Sequence, residues 1–160
     1  MLPDWSLYLA AHVKRQASQM HPIDRRRSLP TLLLALTIVY FFTSLWHFGH
    51  NAEFICEYPN LPTWLTRAKV YAAWAAITSV GAFGIFLIDK RFTVAGLLFI
   101  AVYAALGFDG LGHYSVAPME LHTFTANLTI LSEVAAAGLL LALTLCLLTL
   151  HVRHRQIADA

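Results

Sequence analysis

Four long apolar segments constrain the fold of this chain more than any other feature. They run from about Leu29 to Phe54, Trp64 to Ile88, Phe92 to Asp109 and Leu121 to Leu150. A helix needs roughly 20 apolar residues to cross a hydrocarbon core of ~30 Å, and lipid offers no partners to unpaired backbone groups. Charged residues make up only 12% of the chain, far below the share typical of soluble domains. We therefore predict an all-α integral membrane protein whose immediate partner is the lipid bilayer.

Lysine and arginine are distributed unevenly around these segments. Nine of the eleven precede the first span, follow the fourth, or lie between the second and third, while Arg67 and Lys69 lie on the other side. Cytoplasmic loops carry the excess of such residues, so we predict that both termini are cytoplasmic. Short loops favour an up-down-up-down four-helix bundle. We expect this bundle in a bacterial inner membrane, with loops 55–63 and 110–120 facing the periplasm.

The chain divides into three regions on this reading. Residues 1–28 form a basic cytoplasmic tail, in which residues 3–20 could form an interfacial amphipathic helix. Residues 29–150 form the membrane domain, and residues 151–160 form a second cytoplasmic tail. Small residues in the second and fourth spans favour close helix packing, within the chain or in a homo-oligomer or larger membrane complex. The basic residues set the topology and lack interleaved aromatic residues, so nucleic-acid binding is not predicted.

Histidine is concentrated at the outer end of the predicted bundle. The first span ends with His47 and His50, which are three residues apart and therefore share a helical face. The third span ends with Asp109 and His113, which share a face if the helix continues through the intervening glycine residues. His122 begins the fourth span. Imidazole and carboxylate ligands suit copper, zinc or iron, so these five residues are the candidate ligands of a periplasmic metal site.

Glu133 is the second notable group, because it falls near the middle of the fourth span. It follows His122 by eleven residues, or ~16 Å along a helix, and shares a face with His122 and Thr129. An ionisable group inside the membrane is costly and is by default a functional candidate. We predict that Glu133 relays protons and that Asp109 is a second catalytic acid–base group. The structural alternative is a Glu133 hydrogen-bonded to Thr78, Ser79 or Tyr103.

Three classes of function remain open from these observations. The first is a metal-dependent membrane oxidoreductase or a metal-handling accessory protein. The second is a b-type haem electron carrier, in which two histidines from different helices ligate haem b. The third is a non-metal accessory subunit, or an acid–base enzyme or transporter that uses Glu133 and Asp109. The sequence does not decide whether the protein is an enzyme, and the content of metal and haem would separate the three classes.

Overall fold

The structure, a computed structural model, describes the backbone of residues 25–158 and the side chains of residues 31–153. The predicted amphipathic helix over residues 3–20 lies outside the described residues. The chain separates into two compact units, Met1–Leu32 and Leu33–Ala160. The described part of the first unit is the beginning of a helix.

Five α-helices account for most of the described chain. They are α1 (Arg25–Glu53), α2 (Arg67–Asp89), α3 (Thr93–Leu106), the one-turn α4 (His113–Val116) and α5 (Phe124–Ala158). Short 3₁₀ segments lie between them at Ile55–Glu57, Gly107–Gly112 and Met119–Leu121. No strand occurs within residues 25–158, so the predicted all-α class is confirmed.

Within the described residues, four helical segments are long and apolar enough to cross a membrane. They are Thr31–Glu53, Arg67–Asp89, Thr93–Val116 and Phe124–Arg153. The first, second and fourth lie within about three residues of the predicted spans. The third continues past its predicted end at Asp109, because Gly107–Gly112 forms a 3₁₀ segment that leads directly into α4.

Local chemistry explains how α2 begins and ends. The Thr66 hydroxyl accepts a hydrogen bond from the Lys69 backbone N–H at 3.4 Å, which satisfies one of the free donors at a helix start. At the other end, Arg91 has a φ of 69°, and this left-handed residue reverses the chain before α3 begins at Thr93. The turn between α2 and α3 is short, so the two helices pack directly against each other.

The core of the unit lies where α3 packs against both α2 and α5. Tyr40, Ile100, Tyr103 and Leu140 are fully buried there. Glycine permits the close approach of α2 and α3, since a Cβ on Gly96 would lie 2.7 Å from the Gly84 carbonyl oxygen.

The second span uses its small residues differently from the sequence-based expectation. Gly81 and Gly84 are buried, but the alanine residues at 72, 73 and 76 are exposed. The close contacts of α2 within the chain are therefore made by its glycines and not by these alanines. The physical reason is the rotation of α2, which turns its glycine face toward α3.

Candidate functional site

Most of the buried polar residues collect toward the end of the unit where α1 ends and α5 begins. On α1, the buried positions Tyr40, Ser44, His47 and Asn51 recur every three or four residues and form one inward face. A loop supplies His122, which is 6% exposed, while α5 supplies Thr129 and Glu133. His47 is 2% exposed and Glu133 is 1% exposed.

Three histidines from three different segments meet at this end. The ring centroids of His47 and His113 are 5.4 Å apart, and those of His113 and His122 are 6.1 Å apart. Tyr58, from the loop after α1, packs beside them with its centroid 4.9 Å from that of His113 and 6.2 Å from that of His122. The structure therefore brings together imidazoles that are up to 75 residues apart in the sequence.

Hydrogen bonds define which nitrogen of His47 carries its proton. His47 Nδ1 lies 3.4 Å from the Thr129 hydroxyl, and that hydroxyl donates its own hydrogen to the Ala126 carbonyl at 2.9 Å. The Thr129 oxygen can therefore only accept from the imidazole, so Nδ1 carries the hydrogen. His47 Nε2 is then a lone pair, and a neutral imidazole with one nitrogen fixed in this way is the usual form of a metal ligand.

His122 is arranged in the same way. Its Nδ1 donates to the Pro118 carbonyl oxygen at 3.2 Å, because a carbonyl can only accept. Its Nε2 is buried and has no hydrogen-bond partner among the described residues. A second buried imidazole lone pair is thus left without a donor.

His113 is held by the amide of Asn51. The Asn51 Nδ2 atom lies 3.3 Å from His113 Nε2, while Asn51 Oδ1 is buried and has no partner within the described chain. If the Asn51 amide rotates by half a turn about its Cβ–Cγ bond, Asn51 Oδ1 accepts a hydrogen from His113 Nε2. His113 Nδ1 then carries the lone pair. The same contact therefore fixes the ring in either tautomer.

Glu133 lies directly below His47. Its Oε2 is 3.7 Å from His47 Nε2, which is too long for a hydrogen bond. Both carboxyl oxygens are buried without a hydrogen-bond partner among the described residues. The alternative bond from Glu133 to Thr78, Ser79 or Tyr103 is therefore absent. Ser79 instead donates to the Ala75 carbonyl of its own helix.

Asp109 and His50 depart from the predicted ligand arrangement. Asp109 is exposed, because Gly107–Gly112 is a 3₁₀ segment with three residues per turn, in which positions i and i+4 no longer share a face. The condition for a common face of Asp109 and His113, an α-helix that continues through the glycines, is therefore not met. His50 bonds through Nδ1 to the Tyr58 hydroxyl at 2.9 Å, so Tyr58 already occupies one of its two nitrogens.

One residue at this site escaped the sequence-based choice of functional groups. Tyr58 is buried, and burial raises its pKa to about 12, which keeps the phenol protonated as a donor to His50. Asn51, in contrast, was expected from its spacing of four residues from His47 to orient the imidazoles. Tyr58 carried no such signal, since an aromatic residue at a membrane boundary is usually an interfacial anchor.

The exposed charges of this end are partly paired. Arg67 forms an ion pair with Glu53 at 2.5 Å, and the Tyr71 hydroxyl donates to the same carboxylate at 2.8 Å. Glu53 links the start of α2 to the end of α1. This pairing occupies Arg67, so that cation does not neutralise Glu133.

The described side chains do not form a complete metal site. Within the described residues, no group of three or more His, Cys, Asp or Glu side chains has the arrangement needed to hold an ion. The donor chemistry nevertheless fits one, since His47 and His122 present buried neutral nitrogens and Glu133 presents buried oxygens. The site is incomplete because the distances between these side chains do not suit an ion, although their ligand atoms are of a suitable type.

No family of proteins, no curated protein and no solved structure matches this chain.

Proposed function

We propose that this chain is an inner-membrane protein that binds one copper, zinc or iron ion at its periplasmic end. The proposed fold is an up-down-up-down bundle with both termini cytoplasmic. The nine-to-two distribution of Lys and Arg supports this orientation. The four membrane-length helices support the bilayer location.

One observation carries the proposal, namely that the Nε2 atom of the buried His47 faces a buried Glu133 carboxyl oxygen that has no hydrogen-bond partner among the described residues. His47 Nε2 and Glu133 Oε2 are 3.7 Å apart. Two ligand atoms that each lie ~2.1 Å from a shared ion are roughly 3.6 Å apart at an angle of ~120°. A cation between these atoms would bind both of them, and their present separation leaves the distance that such an ion would need.

The histidine spacing supports the same proposal. Imidazoles bound to one tetrahedral ion at 2.0–2.1 Å have ring centroids about 5 Å apart. His47 and His113 are close to this separation at 5.4 Å, and His122 needs to approach His113 by about 1 Å from its present 6.1 Å. Rotation of side chains supplies a movement of this size without changing the helices.

Glu133 favours an enzyme over a passive metal carrier. A carboxyl beside the ion can take up or release a proton as a bound oxygen species or substrate changes its charge. We therefore propose a metal-dependent oxidoreductase, with Glu133 as the internal proton group. Asp109 is exposed at the same end, and we propose that it exchanges protons with the periplasm.

A homo-oligomer or a larger membrane complex is part of this proposal. The face of α2 that carries the alanine residues at 72, 73 and 76 is exposed. Small residues on a lipid-facing helix let a neighbouring helix approach closely. This supports a partner helix at the exposed face of α2.

Acid–base chemistry without a metal is the second candidate, and the incomplete ligand geometry favours it. In that case Glu133 would transfer a proton to or from His47, whose Nε2 atom lies 3.7 Å from Glu133 Oε2. The two candidates use the same residues, so the presence of an ion distinguishes them directly.

Elemental analysis of the detergent-purified protein is the decisive experiment. We would compare the wild type with a His113→Ala, His122→Ala double variant, and with His151→Ala near the opposite end of α5 as the matched control. We expect near-stoichiometric copper, zinc or iron in the wild type and the control, and loss of the metal in the double variant. An absorption spectrum of the same samples tests for haem.

The other outcomes contradict this proposal in distinct ways. A Soret band that disappears in the double variant would support the haem carrier. Absence of metal and haem, even after incubation with each ion, would support acid–base chemistry by Glu133 and His47. Metal retained by the double variant would place the ion elsewhere in the protein.

A further inference from the structure

A cavity of about 200 Å³ lies between α1 and α2, with Tyr103 of α3 in its wall. Ile38 and Phe41 line it from α1, and Thr78 and Ala82 line it from α2. Ile38 and Ala82 are exposed, so the cavity reaches the surface of the helices. These helices are long and apolar enough to cross a membrane, so this surface faces lipid.

Contacts between α1 and α2 separate the cavity from the histidine cluster. Trp74, one turn from Thr78 on α2, donates from Nε1 to the Ser44 hydroxyl oxygen at 3.3 Å. Its indole ring also packs against Phe41, with the ring centroids 5.5 Å apart. The bilayer is therefore the direct route by which a molecule enters the cavity.

The cavity wall restricts the charge and the shape of a ligand. None of the residues that line it is charged, so a charged ligand would lose its hydration without gaining a counter-charge. An apolar cavity of ~150 Å³ holds benzene, so this one is large enough for a substituted six-membered ring. Phe41 on one helix and the small Gly81 and Ala82 on the other leave a space that suits a flat ring.

Two residues of this wall carry hydroxyls without partners. The Tyr103 hydroxyl and Thr78 Oγ1 are buried and have no hydrogen-bond partner among the described residues, whereas the Thr37 hydroxyl donates to the carbonyl of Leu33 at 2.8 Å. A buried hydroxyl without a hydrogen bond is costly, and the bilayer supplies no donors or acceptors. A ligand whose oxygen atoms accept hydrogen bonds would remove this cost.

The position of the Tyr103 ring is fixed by its neighbours. Its centroid lies 4.5 Å from that of the buried Tyr40. On its other contact it packs against the backbone of Gly81, where an added Cβ would lie 2.5 Å from Tyr103 Cδ1. The hydroxyl is thus held in place before a ligand binds, which lowers the entropic cost of binding.

We propose that this cavity binds the ring of a membrane-soluble quinone, whose carbonyl oxygens accept hydrogen bonds from Tyr103 and Thr78. A quinone ring is flat and uncharged, and its apolar tail can remain in the bilayer. A lipid acyl chain would fill the volume but leave both hydroxyls unpaired. The site goes beyond the proposed metal centre, and its occupancy does not depend on a bound ion.

Binding of a tritiated benzoquinone with a decyl tail tests this site. The metal-free protein is held in lipid nanodiscs, and empty nanodiscs give the background. We expect saturable binding that is lost in Ala82→Phe, because the new ring fills the cavity. Affinity should fall about 5- to 10-fold in Tyr103→Phe, which removes one neutral hydrogen bond.

Two matched controls should bind the quinone like the wild type. Tyr114→Phe removes a hydroxyl that bonds to Asn127 outside the cavity. Ala75→Phe places the same ring on an exposed position of α2 that does not line the cavity. If Tyr103→Phe does not fold, Thr78→Val removes the other hydroxyl with little change of shape and should weaken binding to the same extent.

Three results would overturn the quinone site. The first is the absence of saturable binding above that of empty nanodiscs. The second is displacement of the quinone by decylbenzene as effectively as by unlabelled quinone, which would assign the cavity to an apolar chain. The third is unchanged binding in Ala82→Phe, which would place the quinone elsewhere. Because metal-free protein is used, failure of the metal site in the elemental analysis leaves this result interpretable.

Discussion

A methyl group added at Gly110 tests the space between the proposed ligand atoms. In Gly110→Ala, the new Cβ would lie 3.4 Å from Glu133 Oε2, 3.6 Å from Ile130 Cγ2 and 3.8 Å from His47 Nε2. These are ordinary contact distances, so the folded protein accommodates the methyl group. None of the described glycines has a positive φ, so alanine also adopts the backbone conformation without strain.

The expected magnitude follows from these distances. The methyl group would lie about 3 Å from the midpoint between His47 Nε2 and Glu133 Oε2, closer than the ~3.5 Å at which carbon contacts become favourable. An ion and its fourth ligand would have to move away from their preferred positions. We expect metal affinity to fall roughly 10- to 100-fold, as it does when the surroundings of ligands are disturbed. The free energy of unfolding should instead rise by about 0.5–1 kcal/mol, because alanine restricts the unfolded chain.

The assay is a competition titration against a chelator, run beside thermal unfolding of the same detergent samples. Gly112→Ala is the matched control, because its Cβ would have only the Asp109 Oδ1 atom at 4.0 Å as a neighbour. It should stabilise the protein similarly and leave the affinity unchanged. Wild-type affinity in Gly110→Ala would refute coordination between His47 and Glu133. Equal losses in both variants would indicate a general effect on the 3₁₀ segment.

Three further predictions concern packing, orientation and the buried carboxyl. Gly107→Ala should lower the free energy of unfolding by about 1–3 kcal/mol, because its Cβ would lie 2.6 Å from a buried tyrosine hydroxyl. Gly138→Ala is the control and should not lower it, because the nearest neighbour of its Cβ is 3.8 Å away. Thermal unfolding of the two variants tests this difference. A membrane-impermeant maleimide should modify the exposed Cys56 in intact cells, and labelling only after the membrane is opened would contradict the proposed orientation. In the metal-free protein, dicyclohexylcarbodiimide, which modifies neutral carboxyls in apolar surroundings, should label Glu133 but not the exposed, ion-paired Glu53, as read by mass spectrometry; an unlabelled Glu133 would contradict a neutral, accessible acid.

Much of the fold follows from hydropathy, because a bilayer permits few alternatives. Segments of sufficient length must be helices, and these are the helices observed. The meeting of His47, His113 and His122 followed from the same pattern, since the predicted topology sends the ends of three spans to one face. Periodicity within α1 also placed His47 and Asn51 together on the buried face.

The details of the site depend on features that periodicity does not report. The sequence around Asp109 is compatible with both an α-helix and a 3₁₀ segment, and this choice decides whether Asp109 faces His113. Tyr58 enters the cluster through the fold of a loop, where no regular spacing exists to predict it. The sequence also does not decide how α2 is rotated about its axis, because small residues occur on more than one of its faces.

Charge balance connects Glu133 to the histidines and leads to a final prediction. Three neutral imidazoles would leave a divalent ion uncompensated in a poorly polarisable environment, and Glu133 is the one buried carboxyl among the side chains of residues 31–153. Two unit charges ~4 Å apart attract by about 4 kcal/mol at an effective dielectric constant of ~20. A divalent ion doubles this attraction, which is then comparable with the several kcal/mol needed to bury a carboxylate.

Glu133→Gln should therefore weaken metal binding by at least roughly 100-fold. Asp109→Asn, which alters an exposed carboxylate, should weaken metal binding less than about 10-fold. Equal losses in the two variants, measured by the same chelator competition, would show that burial does not distinguish the two carboxyls and that Glu133 lies outside the coordination sphere.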